Sequence, residues 1–205
     1  MEETIQVGLG DRSYSITIGA GIMERIGPML QAGGFAKRYG IISDDRVAAL
    51  YGEQVQHSLR QAGIGCELIV FPQGEASKHL TTIGTLASSL AERGFDRGDG
   101  LLALGSGVTC YITGFLSSIY MRCIPFVQVP TSLLAQVDSS VGGKTGVDIP
   151  QGKNLVGTFY QPRAVVIDTR VLHTLPHEEF LGGMAEVIKY GAAIDADFFT
   201  WLDMN

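Results

Sequence analysis

Short apolar runs and stretches with helical periodicity alternate along the chain. The strand-like runs cover residues 39–42, 66–71, 101–104, 125–129 and 163–168. Apolar residues recur at three- and four-residue spacing over 22–32 and 78–93, which predicts two helices, and a third helix is predicted over 46–62. Strands that alternate with helices favour a parallel sheet. We therefore predict an α/β fold with a Rossmann-like, mostly parallel sheet.

Two segments depart from this alternation. Residues 4–7 and 14–18 alternate apolar and polar positions around Gly10-Asp11-Arg12, which predicts a hairpin. Pro176 is followed closely by Glu178 and Glu179, a pattern typical of the first turn of a helix. The predicted sheet is therefore flanked by a hairpin and by at least one further helix.

Residues 128–157 hold the densest group of polar side chains. A strand-like run ends at Pro130, and hydroxyl, glycine and ammonium positions follow it closely. The candidate binding residues in this segment are Thr131, Ser132, Leu134, Asp138, Ser139, Lys144, Lys153 and Asn154. Glycines let the backbone approach a ligand, while backbone N–H groups and ammonium charges suit phosphate. We favour a polyanion-binding site here over a solvated surface loop.

A P-loop is the first alternative, because Gly143-Lys144-Thr145 resembles the end of that motif. The motif also requires a glycine at position 138, where this chain has Asp138. The NTPase interpretation is therefore excluded.

A second ligand-binding pattern follows the run 101–104. Gly105-Ser106-Gly107-Val108 leads from that run towards a helix, the usual setting for a pyrophosphate at a helix N-terminus. The dinucleotide fingerprint is incomplete, because Cys110 stands where a third glycine is expected and no acid follows about 20 residues later. Asp44 follows another strand-like run, where it could cap the next helix or bind a nucleotide ribose.

Composition narrows the class of protein. The 205 residues are 45% hydrophobic and 18% charged, which is typical of a globular protein. A net charge of −6 argues against a nucleic-acid surface. Three cysteines without ligand spacing indicate a reducing compartment, and no signal peptide or membrane-spanning run is recognised. We expect a cytoplasmic protein that binds neither nucleic acid nor membrane.

Three motifs resemble the 3-dehydroquinate synthase family: AQVDSSVGGKTGVD, GKNLVGTFYQP and GGMAEVIKYG. The resemblance extends from about Tyr14 to the last residues. It implies an NAD-binding α/β domain over residues 1–171. It also implies that residues 172–205 form the first helices of an α-helical metal- and substrate-binding domain, whose remainder we expect to lie outside this sequence. Because the family is expected to form homodimers, the resemblance also implies a homodimer.

The resemblance implies an activity as well. The family converts a seven-carbon sugar acid phosphate (DAHP) to 3-dehydroquinate and phosphate, a step of the shikimate pathway that uses NAD and Zn²⁺ or Co²⁺. Two alternatives stay open: a non-catalytic relative or dimerisation module of the same fold, and another sugar phosphate cyclase.

Residue roles follow from the matched motifs. Lys144 would hold the leaving phosphate together with Arg122, which could reach in from a second subunit. Asp138, Asn154 and Lys189 would hold substrate hydroxyls. The implied cofactor-binding residues are Asp44, Glu75, Lys78, Gly105, Ser106, Gly107, Val108, Tyr111, Thr131, Ser132, Leu134, Asp138, Ser139, Lys144 and Lys153. Without the resemblance, Glu75 would be a first-turn helix acid and Lys78 a solvated lysine.

The metal site is implied in part. Glu186 matches the family's zinc-binding glutamate, although Glu186 and Lys189 at i and i+3 would otherwise be a weak surface ion pair. A catalytic zinc normally has three protein ligands. The family's other ligands are histidines further along, and the chain's four histidines precede the motif and match no ligand position. We therefore do not expect the 205-residue chain alone to bind zinc tightly.

Four residues depart from the family pattern. Ser106, Cys110 and Cys123 replace glycines, and Tyr111 replaces an aspartate that lies near the nicotinamide end of the cofactor. A Cβ on a backbone with positive φ costs roughly 1–2 kcal/mol. Added atoms at a close backbone contact can also exclude a ligand. We therefore expect weaker NAD binding than is usual in the family.

Overall fold

A computed structural model describes residues 2–204, so residues 1 and 205 of the two predicted domains lie outside the described part. Within residues 2–204, seven strands form one sheet in the order β1-β2-β9-β6-β5-β3-β4. The strands of this sheet are β1 (Glu2–Val7), β2 (Tyr14–Gly19), β3 (Arg38–Asp44), β4 (Gly65–Phe71), β5 (Gly100–Gly105), β6 (Phe126–Pro130) and β9 (Ala164–Asp168). Only β1 pairs in antiparallel fashion, with β2. The mostly parallel sheet and the N-terminal hairpin are both confirmed.

Helices cover both faces of this sheet. The main helices are α1 (Ile26–Gly33), α2 (Asp45–Val47), α3 (Glu53–Gln61), α4 (Leu80–Glu92), α5 (Gly107–Ile119), α6 (His177–Ala193) and α7 (Ala196–Met204). In β5, Leu102 packs on the face covered by α1 and α3, and Leu101 packs on the opposite face under α4 and α5. Because a central parallel strand is buried on both faces, its sequence reads as one apolar run.

The helix predictions hold with changes at the ends. The helix predicted over 22–32 begins as a 3₁₀ turn at Ile22–Arg25 and continues as α1. The helix predicted over 46–62 contains a π-helical segment at Ala48–Gly52 between α2 and α3. The helix predicted from residue 78 begins two residues later, with His79 as its N-cap.

Sequence reasoning missed a second sheet. Strands β7 (Lys144–Ile149) and β8 (Gly152–Phe159) form an antiparallel hairpin in the segment interpreted as a glycine-rich binding loop. Val147 packs in the same core as α4 and α5. A Cβ on Gly146 would lie 2.7 Å from the Val156 carbonyl oxygen, so glycine is required where the two strands approach each other. Lys144, the predicted phosphate-binding lysine of this segment, is therefore the first residue of a strand.

The last two helices lie beyond the sheet. α6 approaches residues 133–134 closely, since a Cβ on Gly183 would lie 2.6 Å from the Leu133 Cβ. Ile188 on α6 is exposed, as are the apolar side chains of Trp201 and Met204 on α7. Among the helices of residues 2–204, none has the length and apolar character needed to cross a membrane. The division into two domains remains a prediction.

Tyr39, at the start of β3, carries a buried hydroxyl without a hydrogen-bond partner among the described residues. Burial raises the pKa of Tyr39 to about 12. The unfolded phenol ionises near pH 10, so the folded wild type holds a proton that the unfolded chain releases, and stability falls as the pH rises from about 10 to 12.

We expect Tyr39→Phe to avoid this loss, which corresponds to about 2–3 kcal/mol at the upper end of that range. At neutral pH the substitution should be neutral or slightly stabilising, because it removes an unpaired buried polar group. Urea unfolding of both proteins from pH 8 to 12 measures the difference, with Tyr190→Phe on α6 as the control. Parallel pH profiles for wild type and Tyr39→Phe would contradict the prediction.

Candidate functional site

The candidate site lies at the carboxyl ends of the parallel strands. The chain passes from β3 outward to β4 and then returns to the other side of β3 as β5, so the order of strands reverses between β3 and β5. Ligands of open α/β sheets bind in the crevice at such a reversal. Asp44 ends β3 and Ser106 follows β5, so the two flank this crevice.

Asp44 caps a helix and also lines the crevice, and its contact with a ribose stays a prediction. It is buried, and its Oδ1 accepts a hydrogen bond from the Val47 backbone N–H at 2.9 Å, which caps α2. Its Oδ2 lies 3.5 Å from the Thr109 hydroxyl and faces the crevice. The helix cap and the Thr109 contact therefore hold the Asp44 carboxylate at the wall of the crevice.

The first turn of α5 faces the same crevice. Ser106 precedes it without a side-chain capping bond, so the first backbone N–H groups of the helix have no side-chain acceptor from the N-cap. A Cβ on Gly107 would lie 2.8 Å from the Ser139 Oγ, and one on Gly105 would lie 2.3 Å from the Thr109 Oγ1. Glycine is therefore required at both positions, and the exposed N–H groups suit a pyrophosphate.

The predicted backbone strain in this turn is wrong for two residues. Ser106 has φ −73°, an ordinary extended conformation, and Cys110 lies within the regular helix. Neither residue needs the left-handed region that favours glycine. Cys110 is buried, and burial raises the pKa of its thiol to about 12.

A cleft of about 470 Å³ follows this edge of the sheet and is called here the sheet-edge cleft. The predicted cofactor-binding residues that line it are Asp44, Glu75, Lys78, Ser106, Gly107, Val108, Tyr111, Thr131, Ser132, Leu134, Asp138 and Ser139. Leu175 and Glu179, before and within α6, form part of its wall. The structure therefore brings together most of the residues that the resemblance implied for the cofactor.

Lys78 lies at the centre of a charged cluster beside this cleft. Its side chain is 5% exposed, which excludes the solvated lysine that its local sequence suggested. The ammonium lies 3.2 Å from a Glu75 oxygen, 3.6 Å from an Asp148 oxygen and 4.9 Å from the centre of the Tyr111 ring. A buried ammonium requires such compensation, because its desolvation is costly.

A second cavity, of about 290 Å³, opens against the hairpin and is called here the hairpin cavity. Lys144 and Asn154 line it, as do Tyr111 and Thr158. Asn154 has φ +56°, and its backbone N–H donates to Asp148 Oδ1 at 2.7 Å. Asp148 therefore contacts both the Lys78 ammonium and the backbone of Asn154.

Sequence reasoning missed Asp148. The backbone around it is also tied to the cleft, since the Asp148 N–H donates to the Lys78 carbonyl oxygen at 2.8 Å. The available signal was the turn-forming sequence Pro150-Gln151-Gly152 between two short stretches that contain apolar residues, which is compatible with a hairpin that has Asp148 near its tip.

The remaining predicted residues lie outside both cavities. Lys153 is largely exposed, 3.8 Å from Glu75, and Gly105 is buried behind the first turn of α5. Lys189 pairs with Glu186 on α6; this hydrogen bond raises the pKa of Lys189, and the charge of Asp138 raises it further. Arg122 follows α5 and lines neither cavity.

The described residues do not form a metal site by themselves. Within residues 2–204, no group of three His, Cys, Asp or Glu side chains comes together with metal-binding geometry. Glu186, the implied ligand, is hydrogen-bonded to Lys189. His79 caps α4 through its Nδ1. A divalent ion with three protein ligands therefore does not fit the donor set of these residues alone.

Backbone strain occurs at the end of α5. Met121, Arg122 and Cys123 have φ values of 50°, 67° and 125°. The expected left-handed backbone is therefore present at Cys123, where the family pattern has glycine. The Cys123 thiol lies 2.7 Å from the Tyr160 hydroxyl, which itself donates to the Ile124 carbonyl oxygen. Burial first, and then the contact with Cys123, raise the pKa of Tyr160.

Comparison with known proteins places the sequence among 3-dehydroquinate synthases. Residues 68–182 match the model of the 3-dehydroquinate synthase N-terminal family. A 3-dehydroquinate synthase of Syntrophotalea carbinolica is 51% identical over 196 residues, which cover 96% of this chain and 54% of the relative. The chain thus spans about half the length of the curated relatives that it matches.

Solved structures of two sugar phosphate cyclases resemble the fold closely. A 2-deoxy-scyllo-inosose synthase complexed with carbaglucose-6-phosphate, NAD⁺ and Co²⁺ superposes with a TM-score of 0.85 at 29% identity, over 91% of this chain and 50% of that chain. A 2-epi-5-epi-valiolone synthase from Streptomyces hygroscopicus subsp. jinggangensis 5008, with NAD⁺ and Zn²⁺ bound, gives a TM-score of 0.82 at 31% identity, over 93% and 52% of the two chains.

We expect Asp148→Ala to loosen the tip of the β7–β8 hairpin, because it removes the acceptor of the Asn154 N–H and one of the charges that compensate Lys78. Loss of about 1–2 kcal/mol of local stability corresponds to roughly tenfold faster amide exchange. Hydrogen-exchange mass spectrometry of peptides over 150–157 measures this. Asp148→Asn keeps an acceptor oxygen and should show a smaller change; equal exchange in wild type and Asp148→Ala would contradict the role of Asp148.

We expect Cys123→Gly to be more stable than Cys123→Ala by about 1–2 kcal/mol, because only glycine relieves the backbone at this φ. Both variants lose the contact with Tyr160, so their difference isolates the strain. Denaturant unfolding at neutral pH measures it. If Cys123→Ala is the more stable of the two, the backbone at this position is not strained.

Proposed function

Because the chain belongs to the 3-dehydroquinate synthase family, we propose that it forms the dinucleotide- and phosphate-binding part of an enzyme that converts DAHP to 3-dehydroquinate and phosphate. The observation that carries this proposal is the arrangement of the two cavities. The sheet-edge cleft gathers the residues expected to bind NAD, and the hairpin cavity beside it contains the lysine and the amide expected to bind substrate.

Roles for the cleft residues follow from their chemistry. The Asp44 carboxylate at the wall of the cleft suits a ribose hydroxyl, and the N–H groups at the start of α5 suit the pyrophosphate. Thr131 and Ser132, just after β6, add hydroxyl groups to the wall of the cleft. NAD bound there would accept a hydride from the substrate and later return it.

Roles for the substrate residues also follow. Lys144 is exposed at the mouth of the hairpin cavity and can place an ammonium on the phosphate that leaves. Asn154 offers an amide to substrate hydroxyls, and Asp138 and Lys189 lie near enough for their charges to interact. These residues bind and orient the substrate and stabilise the negative charge that develops when phosphate departs.

Phosphate binding by Arg122 and metal binding by Glu186 both require groups other than the residues that line the two cavities. Arg122 lines neither cavity, which supports its reaching the phosphate bound by a second copy of the chain in a homodimer. Glu186 would be one ligand of the Zn²⁺ or Co²⁺ that family membership implies. Because no three potential metal ligands come together among residues 2–204, Glu186 alone would not hold the ion.

The non-catalytic alternative is favoured by one feature, the aromatic ring of Tyr111 between the two cavities. Another cyclase activity is the second alternative, supported by the resemblance to the two cyclase structures at 29% and 31% identity. The 51% identity to a 3-dehydroquinate synthase favours DAHP as the substrate. The biosynthetic role and the three unpaired cysteines support a cytoplasmic location.

We expect Lys144→Ala to weaken the binding of DAHP by about 10- to 100-fold, the usual value of a charge-assisted hydrogen bond to phosphate. Isothermal titration of DAHP measures this. Lys37→Ala is the matched control, because Lys37 is exposed just before β3, at the opposite edge of the sheet.

Phosphate release from DAHP, with NAD⁺ and Zn²⁺ added, separates the candidate functions. Release would support catalysis by this chain. DAHP binding without release is the result expected of these residues alone, because they do not form a metal site by themselves, and failure of DAHP to bind would support the non-catalytic alternative. An unchanged affinity for DAHP in Lys144→Ala would remove Lys144 from the phosphate site.

A further inference from the structure

Tyr111 lies on the wall between the two cavities. Of the described residues that line the sheet-edge cleft and the hairpin cavity, Tyr111 is the one that they share. It belongs to the second turn of α5, one turn after Gly107 at the start of that helix. Its ring therefore separates the segment expected to bind a dinucleotide from the segment expected to bind a sugar phosphate.

The ring is held in this position from more than one side. The Lys78 ammonium covers one face of the ring at 4.9 Å from its centre, and Lys78 is itself fixed by Glu75 at 3.2 Å and Asp148 at 3.6 Å. Burial raises the pKa of the Tyr111 phenol; the charge of Asp138 raises it further, and the Ser139 side chain partly offsets the rise. The phenol is therefore neutral at physiological pH and packs against the residues after β6.

This position conflicts with hydride transfer. The reacting atoms of the nicotinamide and the substrate must approach to about 3–3.5 Å. A dinucleotide in the sheet-edge cleft and a sugar phosphate beside Lys144 would have to meet where the Tyr111 ring lies. The part of the cleft around Asp44 and Gly107 carries no such obstruction, because neither residue lines the hairpin cavity.

We propose that Tyr111 is a specificity-determining residue that holds the nicotinamide end of a dinucleotide out of the hairpin cavity. The sheet-edge cleft then takes its affinity from the adenosine diphosphate ribose portion of the ligand, and the nicotinamide adds none. The ring must leave the Lys78 ammonium before the two ligands can react. This inference rests on the proposed dinucleotide function of the cleft.

The test compares NAD⁺ with ADP-ribose, which lacks only the nicotinamide, by isothermal titration. We expect the wild-type chain to bind ADP-ribose at least as tightly as NAD⁺. Tyr111→Ala should tighten NAD⁺ binding by about tenfold, or 1.4 kcal/mol, and leave ADP-ribose binding within about twofold of wild type. Tyr111→Phe keeps the ring and should behave as the wild type does.

Three results would overturn the inference. One is wild-type binding of NAD⁺ about tenfold or more tighter than ADP-ribose, a comparison that needs no variant and does not depend on whether Tyr111→Ala folds. Another is weaker NAD⁺ binding in Tyr111→Ala, which would make the ring a stacking surface for nicotinamide. Failure of both ligands to bind would instead reject the proposed dinucleotide site, and the inference with it.

Discussion

The arrangement of both cavities depends on one buried ammonium, that of Lys78. It lies among two carboxylates and an aromatic ring that come from three separate parts of the chain: the turn after β4, the second turn of α5 and the β7–β8 hairpin. A buried charge without such partners would be unstable. The same contacts that compensate Lys78 therefore fix the hairpin to the sheet and bring Lys144 and Asn154 beside the sheet-edge cleft.

The sequence alone predicts the parts of this fold that local pattern determines. Central strands such as β5 are recognisable because burial on both faces leaves a continuous apolar run. The β7–β8 hairpin was missed because glycines and lysines interrupt its alternation. Local sequence also predicted a solvated Lys78. This prediction was wrong because residues distant in sequence bury the side chain, and the pattern of neighbouring residues does not reveal them. Ser106 shows a different error. Strain was predicted there because the family has a glycine at this position, but the backbone of Ser106 has a negative φ.

The candidate site is better defined by combining resemblance with geometry than by either alone. Resemblance named the residues, and the structure gathers most of the cofactor set at the strand-order reversal, the place that topology favours for ligands. Geometry adds Asp148, whose oxygen is shared by Lys78 and the Asn154 backbone. The geometry also suggests a consequence of the tyrosine at position 111. Its ring lies between the two cavities, where a nicotinamide and a substrate would have to meet.

Helix α5 connects the two regions of this chain that differ most from the family pattern. It starts at Gly107 in the sheet-edge cleft and ends just before the strained residues Met121–Cys123, a length of about 20 Å for 13 residues. Most of its side chains are packed in the core, so it can move only as a rigid rod. A displacement of its first turn would therefore shift the start of the strained segment that carries Arg122, so one rigid element connects the sheet-edge cleft to this arginine.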